Sequence, residues 1–370
     1  MQFKINKNEF LTGLAKVQGI VEKKHTMPIL ANVLIETKND EIIITATDLE
    51  VGIKSSYKAV TIEAGKITIS AKKLYEIIKE LPDKEIIFST KNNFWVEIKC
   101  SKSIFNLVGL SPDEFPKFPE VTVNNKINKS NLSEMIDKTL FSVSNDETKF
   151  NLTGIHIKLE NIDNINYFVF VSTDGHRLSM IKREYEDQLE GKYKEGFILP
   201  KKGIVEIKKL LEIIDDNVSI GISDNNFAVN NKNTTLIMRM VDGEFPDYKR
   251  VIPDKVDNVA TIDKNSFLHA LKRISILSSE KSKGVKLNIK NDFLTLTSSN
   301  PELGDAKEEM EIIYNGEDIS IGFNAKYIID ILQVINSDNI MLNLKDNISP
   351  GRINPEGDEH HVAVIMPMRL

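Results

Sequence analysis

Apolar residues return at helical intervals in three stretches of this chain, and each stretch opens in the same way. The middle one reads Ile127-Asn-Lys-Ser-Asn-Leu132-Ser-Glu-Met135-Ile136-Asp-Lys-Thr139-Leu140-Phe-Ser-Val143. Leu132, Met135, Ile136, Thr139, Leu140 and Val143 fall on one stripe, so the spacing predicts a helix with that face buried. An earlier copy begins Ile5-Asn-Lys and continues through Phe10, Leu14 and Val17. A later one begins Ile262-Asp-Lys and continues through Phe267, Leu271 and Ile274. The starts lie a domain's length apart, which implies three similar domains in tandem.

A second echo follows the first. Ile69-Ser-Ala-Lys-Lys73, Ile198-Leu-Pro-Lys-Lys202 and Ile321-Gly-Phe-Asn-Ala-Lys326 each read as a strand end followed by a helix start with a Lys in its first turn. Between the helices run short alternating segments such as Ile42-Ile-Ile-Thr-Ala-Thr-Asp48, Gly154-Ile-His-Ile-Lys-Leu159 and Tyr167-Phe-Val-Phe-Val-Ser-Thr173, divided by turn residues. Two helices on antiparallel strands in every repeat give an α+β class. The segment Ser111-Pro-Asp-Glu-Phe-Pro116-Lys-Phe-Pro119 is too rich in proline for a helix or a central strand and reads as a linker. Val241-Asp-Gly-Glu-Phe-Pro246-Asp-Tyr-Lys-Arg250 is its second copy. The expected domains are therefore 1–121, 122–250 and 251–370. Residues 349–361 read as a loop with a short strand near Arg352, and 362–370 as a final strand that runs to the last residue.

Composition narrows the function. A chain of 370 residues suits about three cores. It has no apolar run of membrane-spanning length and opens directly on a strand pattern, without a signal peptide. Its single cysteine, Cys100, excludes an internal disulfide and a Cys-x-x-Cys metal site. A reducing cytoplasm fits that usage. The net charge of −6 argues against a uniformly basic nucleic-acid binder but leaves room for one basic surface.

The catalytic alternative centres on Asp174-Gly-His176-Arg177 with His156 upstream. These residues lack the converging ligand set of a metal or acid–base site. Gly175 in a tight turn and a locally bonded His176 explain them structurally. His360 and His361 are adjacent and would face opposite ways in a strand. No Walker, zincin or dinucleotide motif is present. Neither a metal nor a cofactor is expected. The repeated first-turn lysines are more informative. A cation there opposes the helix dipole, so Lys73, Lys202 and Lys326 imply an anion held near the helix starts. The bland alternative is a solvated face in a lysine-rich chain. Further Lys and Arg along the same helices, among them Lys23, Lys24 and Lys281, would complete a lining that touches phosphates without reading bases.

The threefold repeat, Thr173-Asp-Gly-His-Arg-Leu178, Asp242-Gly-Glu-Phe-Pro-Asp-Tyr248 and the terminal Met366-Pro-Met-Arg-Leu370 together resemble the bacterial DNA sliding clamp family over the whole chain. The resemblance implies a non-catalytic homodimer closed head to tail around duplex DNA, a ring-forming clamp fold that keeps a replicative polymerase on its template. Helix dimensions agree with this. Six helices at packing distance would enclose a gap of only about 6 Å, whereas twelve leave roughly 24 Å, enough for a duplex and some water. Enclosure would then hold the ring on DNA, while weak, salt-sensitive phosphate contacts let it slide.

The same resemblance implies particular residues. Lys24, Lys149, Phe150 and Lys202 match family positions that contact DNA, and Lys73 joins them through the repeated helix start. The family often carries Arg where Lys149 stands and an aromatic where Asn151 stands. A groove for short Gln- and Leu-containing peptides would be built from Leu152, Thr173, Gly175, His176, Arg177, Leu178, Pro246, Arg250, Val251, Val364, Met366, Pro367, Met368 and Arg369. Its implied users are the replicative polymerase alpha subunit, the clamp-loader ATPase, and other polymerases and repair proteins. Ring closure would pair Phe105 and Leu107 of one copy with Ile276 and Leu277 of the next. A scaffold that binds only peptides, or a hydrolase using Asp174 and His176, would show instead as indifference to DNA or as turnover.

Overall fold

The structure, a computed structural model, describes residues 1–21, 27–186, 189–214, 217–253, 258–279 and 282–369. Lys23, Lys24, Lys281 and Leu370 lie outside them. The chain forms two compact units, one of Met1–Lys129 with Lys202–Met240, the other of Ser130–Lys201 with Val241–Leu370. The units cut across the central sequence repeat, because strands of neighbouring repeats share sheets.

In the first unit an eight-stranded antiparallel sheet runs in the order Asn125–Ile127, Val218–Ser223, Asn226–Asn231, Thr234–Arg239, Val51–Lys58, Glu41–Thr47, Asn32–Lys38 and Lys66–Ser70. The seam between repeats is the pairing of Thr234–Arg239 with Val51–Lys58. A five-stranded sheet runs Val60–Glu63, Gln2–Asn6, Glu85–Thr90, Trp95–Cys100 and Ser103–Val108, with the last strand at its edge. Helices α1 (Lys7–Val17) and α2 (Ala71–Glu80) pack on each other. Phe3, Phe10 and Phe88 fill the core beneath them, Phe3 stacked on Phe88 at 4.8 Å with Phe10 edge-on to both.

The second unit mirrors this plan. Its eight-stranded sheet runs Phe197–Pro200, Gly154–Ile162, Ile165–Thr173, Arg177–Glu184, His361–Ile365, Gly351–Pro355, Asn339–Asn343 and Val259–Asp263. A four-stranded sheet runs Gly304–Glu311, Phe293–Asn300, Gly284–Lys290 and Ile319–Asn324. In chain order the remaining helices of the chain are α3 (Lys129–Leu140), the short α4 (Lys192–Glu195), α5 (Lys201–Glu212), which belongs to the first unit from Lys202 onward, α6 (Lys264–Ile274) and α7 (Ala325–Val334). α6 and α7 bury Phe267, Leu271, Ile331 and Leu332 in one core.

The recurrent opening of an apolar residue, Asn or Asp, and Lys now has a physical reason. Asn6 caps α1 by accepting from the Asn8 N–H at 2.8 Å, and Asp263 caps α6 by accepting from Ser266 at 2.7 Å. The apolar residue ends the strand, the Asn or Asp satisfies an orphan amide, and the Lys is the first helical residue.

Two segments differ from expectation. Residues 349–361 hold a full strand, Gly351–Pro355, that pairs with both Asn339–Asn343 and His361–Ile365. The final strand stops at Ile365, so Met366–Arg369 leave the sheet. Pro367 has no N–H with which to continue a ladder.

Candidate functional site

Two turns carry the same hydrogen-bond pattern. In Thr173-Asp-Gly-His-Arg177 the Thr173 hydroxyl donates to the Arg177 carbonyl at 2.6 Å and accepts from the Gly175 N–H at 3.1 Å. The Asp174 carboxylate accepts from the amides of His176 and Arg177. Thr47 and Asp48 repeat each contact in the first unit, with Leu49 at the place of Gly175. Gly175 has φ +91, where a side chain is strained. Leu49 takes the same left-handed region, at φ 78.

The turn fixes Arg177, which is 9% exposed. Its guanidinium binds Asp174 at 3.0 Å, Asp330 at 2.6 Å and the Phe141 carbonyl at 2.7 Å, and lies 4.5 Å from the Tyr327 ring centroid. Every face of this cation is matched, so Arg177 acts as a rigid support. Beside it opens an apolar cavity of about 150 Å³, lined by Leu152, Thr173, Gly175, Arg177, Leu178, Pro246, Asp247, Tyr248, Val251, Val364 and Met366. Leu178 and Val364 are cross-strand partners and both are buried.

Of the expected groove residues, His176, Arg250, Pro367, Met368 and Arg369 do not line this cavity. His176 is exposed and lies over Tyr327 at 6.4 Å, and its carbonyl accepts from the Met366 N–H at 2.9 Å. Arg250 pairs with Asp247 at the surface at 2.9 Å. Pro367 and Met368 are half-buried, Arg369 is exposed, and the Met368 N–H is held by the Gly322 carbonyl at 2.9 Å. Asp247 and Tyr248 were missed, although both belong to the repeated Phe-Pro segment, where an aromatic two residues after Pro246 was a readable signal. Burial, and then the nearby Glu160, pushes the Tyr248 phenol up from its ordinary pKa, so it stays neutral.

The hydrolase alternative finds no constellation. Asp174 is spent on the turn and on Arg177. His156 stacks on Phe245 at 4.9 Å, and burial holds it down at about 4. Among the described residues no three His, Cys, Asp or Glu side chains group as metal ligands.

The first-turn lysines find anions inside the protein. Lys73 pairs with Glu76 at 2.9 Å and Lys326 with Asp330 at 3.5 Å. Lys202 binds the carboxylate of Asp48, which is 3% exposed, and the Ile20 carbonyl. The anion implied at these helix starts is thus a carboxylate of the chain itself, and the Lys202 ammonium is committed to it. Surface pairs such as Lys73–Glu76 break cheaply, leaving that lysine usable. Lys149 and Phe150 both stand in solvent, Phe150 being 56% exposed. Lys24 lies outside the described residues.

Phe105 and Leu107 lie on the edge strand opposite Ile98 and Val96, so they share the face of two fully buried residues. Phe105 is nevertheless 38% exposed, so this core face runs uncovered to the sheet edge. Ile276 and Leu277 sit on a single 3-10 turn, Ser275–Leu277, after α6 rather than on the helix itself. Ile276 is 73% exposed. The turn packs against the Gly304–Glu311 strand, the edge of the four-stranded sheet.

Comparison with known proteins fits this arrangement. Family models for the DNA polymerase III beta subunit match in tandem: the N-terminal domain at residues 1–119, the central domain at 126–247 and the C-terminal domain at 249–369. The beta sliding clamp of Pseudomonas aeruginosa is 33% identical over 373 residues, covering all of both chains. The solved sliding clamp of Bartonella birtlesii bound to griselimycin superposes with a TM-score of 0.95 at 32% identity, again over all of both chains. A Caulobacter crescentus clamp gives 0.94 at 33%, with the same coverage. Repeated helix pairs on antiparallel sheets, superposing on these sliding-clamp chains from end to end, define a DNA clamp. The chain belongs to the DNA polymerase III beta subunit family, the bacterial beta sliding clamps. It is a processivity factor without catalytic activity.

Proposed function

We propose that this clamp, a ring of two copies around duplex DNA, holds its partners through the cavity beside Arg177. The observation that carries the reading is an apolar pocket whose walls are set by buried strands and whose Arg177 floor is fixed by four groups. A preformed pocket of this kind suits one or two apolar anchors of a short peptide. The replicative polymerase alpha subunit, the clamp loader, and other polymerases and repair proteins are the users we assign. The modules we assign are 1–121, 122–250 and 251–370, and the site of action is the cytoplasm. No described helix is long and apolar enough to cross a membrane.

The test is topological. Loaded on nicked circular DNA, the protein stays bound through gel filtration, and cutting the circle releases it. Equal retention on circular and linear DNA would refute the ring. Lys149, Phe150 and Lys73 are the DNA contacts we retain, with Lys24. Lys202 has its charge already matched and is the weakest of the original set. Lys149→Ala lowers the salt slope of DNA binding by about one, the value for one lost phosphate contact, measured by anisotropy across salt concentrations.

For ring closure we assign the Phe105 edge strand of one copy to the Ile276 turn and the Gly304–Glu311 edge of the other. Two unpaired edges and two uncovered apolar patches support this pairing. Ile276→Ala weakens the dimer by about tenfold in sedimentation equilibrium. An unchanged dimer constant would remove Ile276 from the interface.

A further inference from the structure

We propose that a second cavity, next to the apolar one, receives an arginine side chain flanking the docking motif of a partner peptide. This deepens the groove reading and rests on it.

The cavity holds about 450 Å³ and shares Pro246, Asp247 and Tyr248 with its apolar neighbour. A peptide leaving the first pocket over Tyr248 therefore passes directly to the second. The chemistry changes at that wall. The first pocket is lined mainly by aliphatic side chains, whereas the second carries Glu160, Glu195, Glu244 and Asp247 against Lys158 and Lys249. Glu160 is matched by Lys249 at 2.8 Å, and Asp247 by Arg250 at 2.9 Å. Among the described residues the carboxylates of Glu195 and Glu244 have no cationic partner.

One wall is flat and aromatic. His156 and Phe245 stack at 4.9 Å with only 13° between their planes, and Tyr248 lies 6.2 Å from the imidazole. The buried Nδ1 of His156 has no hydrogen-bond partner. With its pKa held down by burial, the imidazole is neutral and does not repel a cation. A guanidinium matches this set better than an ammonium does. It lies flat on an aromatic wall and offers planar donors to two carboxylates at once.

The experiment uses the full-length clamp and labelled peptides that share one Gln- and Leu-containing docking motif, with Arg, Lys, Ala or Glu placed in turn at positions flanking either end. Affinity is read by fluorescence anisotropy. Arg at one flank tightens binding about fivefold over Ala, Lys does so less, and Glu weakens it. The gain disappears at high salt and in the Glu195→Gln/Glu244→Gln variant, which still binds the Ala peptide as the parent does. Lys158→Glu enlarges the gain. An Ala peptide that binds while Arg adds nothing at either flank overturns this proposal alone. So does an Arg gain that survives the double variant. If no peptide of the series binds the parent chain, the groove reading falls and this proposal falls with it.

Discussion

Ending the chain at Ile365 weakens binding of a Gln- and Leu-containing peptide by roughly a hundredfold, measured by anisotropy against the intact clamp. Met366 supplies one wall of the apolar cavity, and burying such a side chain on a ligand is worth about 1.5–3 kcal/mol, or roughly 10–100-fold in affinity. The cut also removes two backbone anchors, Met366 to His176 and Met368 to Gly322, that hold the tail against the pocket. Met366→Ala alone costs about tenfold, because the backbone anchors remain. The thermal midpoint changes little, since the His361–Ile365 strand keeps its pairing with Arg177–Glu184. Peptide affinity that survives the truncation would move the groove elsewhere.

The second large effect concerns stability. In the second unit Arg183 forks onto Glu134 at 2.8 and 2.7 Å and reaches Asp358 at 2.8 Å, while Lys138, 4% exposed, binds Glu134 at 2.6 Å. Arg183→Met leaves one cation to balance two half-buried carboxylates and costs about 2–3 kcal/mol. For a unit of this size that is a fall of about 4–12 °C in melting temperature. A companion variant, Arg183→Met with Glu134→Gln, recovers part of the loss because it removes the stranded charge.

The pH dependence follows from the same cluster. Hydrogen bonds from Arg183, and then Lys138, hold the Glu134 carboxyl down at about 2. Burial, and then the Lys138 charge, hold His361 at about 3. Both groups bind a proton more readily in the unfolded chain. Stability therefore falls as pH drops from about 6.5 toward 3 through His361, and again from about 4.5 toward 2 through Glu134. His361→Gln flattens the upper part of that decline in melting curves taken across pH. An unchanged decline would show that other groups carry it.

What could be read from the sequence was whatever depended on near neighbours. The stripe of Leu132, Met135 and Ile136 emerged as the buried face of α3, and the Asn or Asp before each repeated Lys proved to be a helix cap where the cap is described. The turn at Gly175 was legible because its hydrogen bonds close within five residues. Long-range partners were hidden. Nothing beside Lys202 announces that Asp48, far back in the chain, neutralises it. Asp330, which completes the support of Arg177, is equally remote. The Gly351–Pro355 strand was read only as a short strand near Arg352, because Pro355 and Gly357 gave the segment the composition of a loop, while pairing on both sides supplies the ordering that its own residues do not.

The sheet carrying Arg177 and Leu178 gains its neighbour, His361–Ile365, from a strand far downstream in the chain. While the ribosome still holds that segment, the pocket lacks Val364 and Met366 and has no closed side. On the proposed reading, a chain not yet translated through Met366 has no complete pocket to offer a partner peptide.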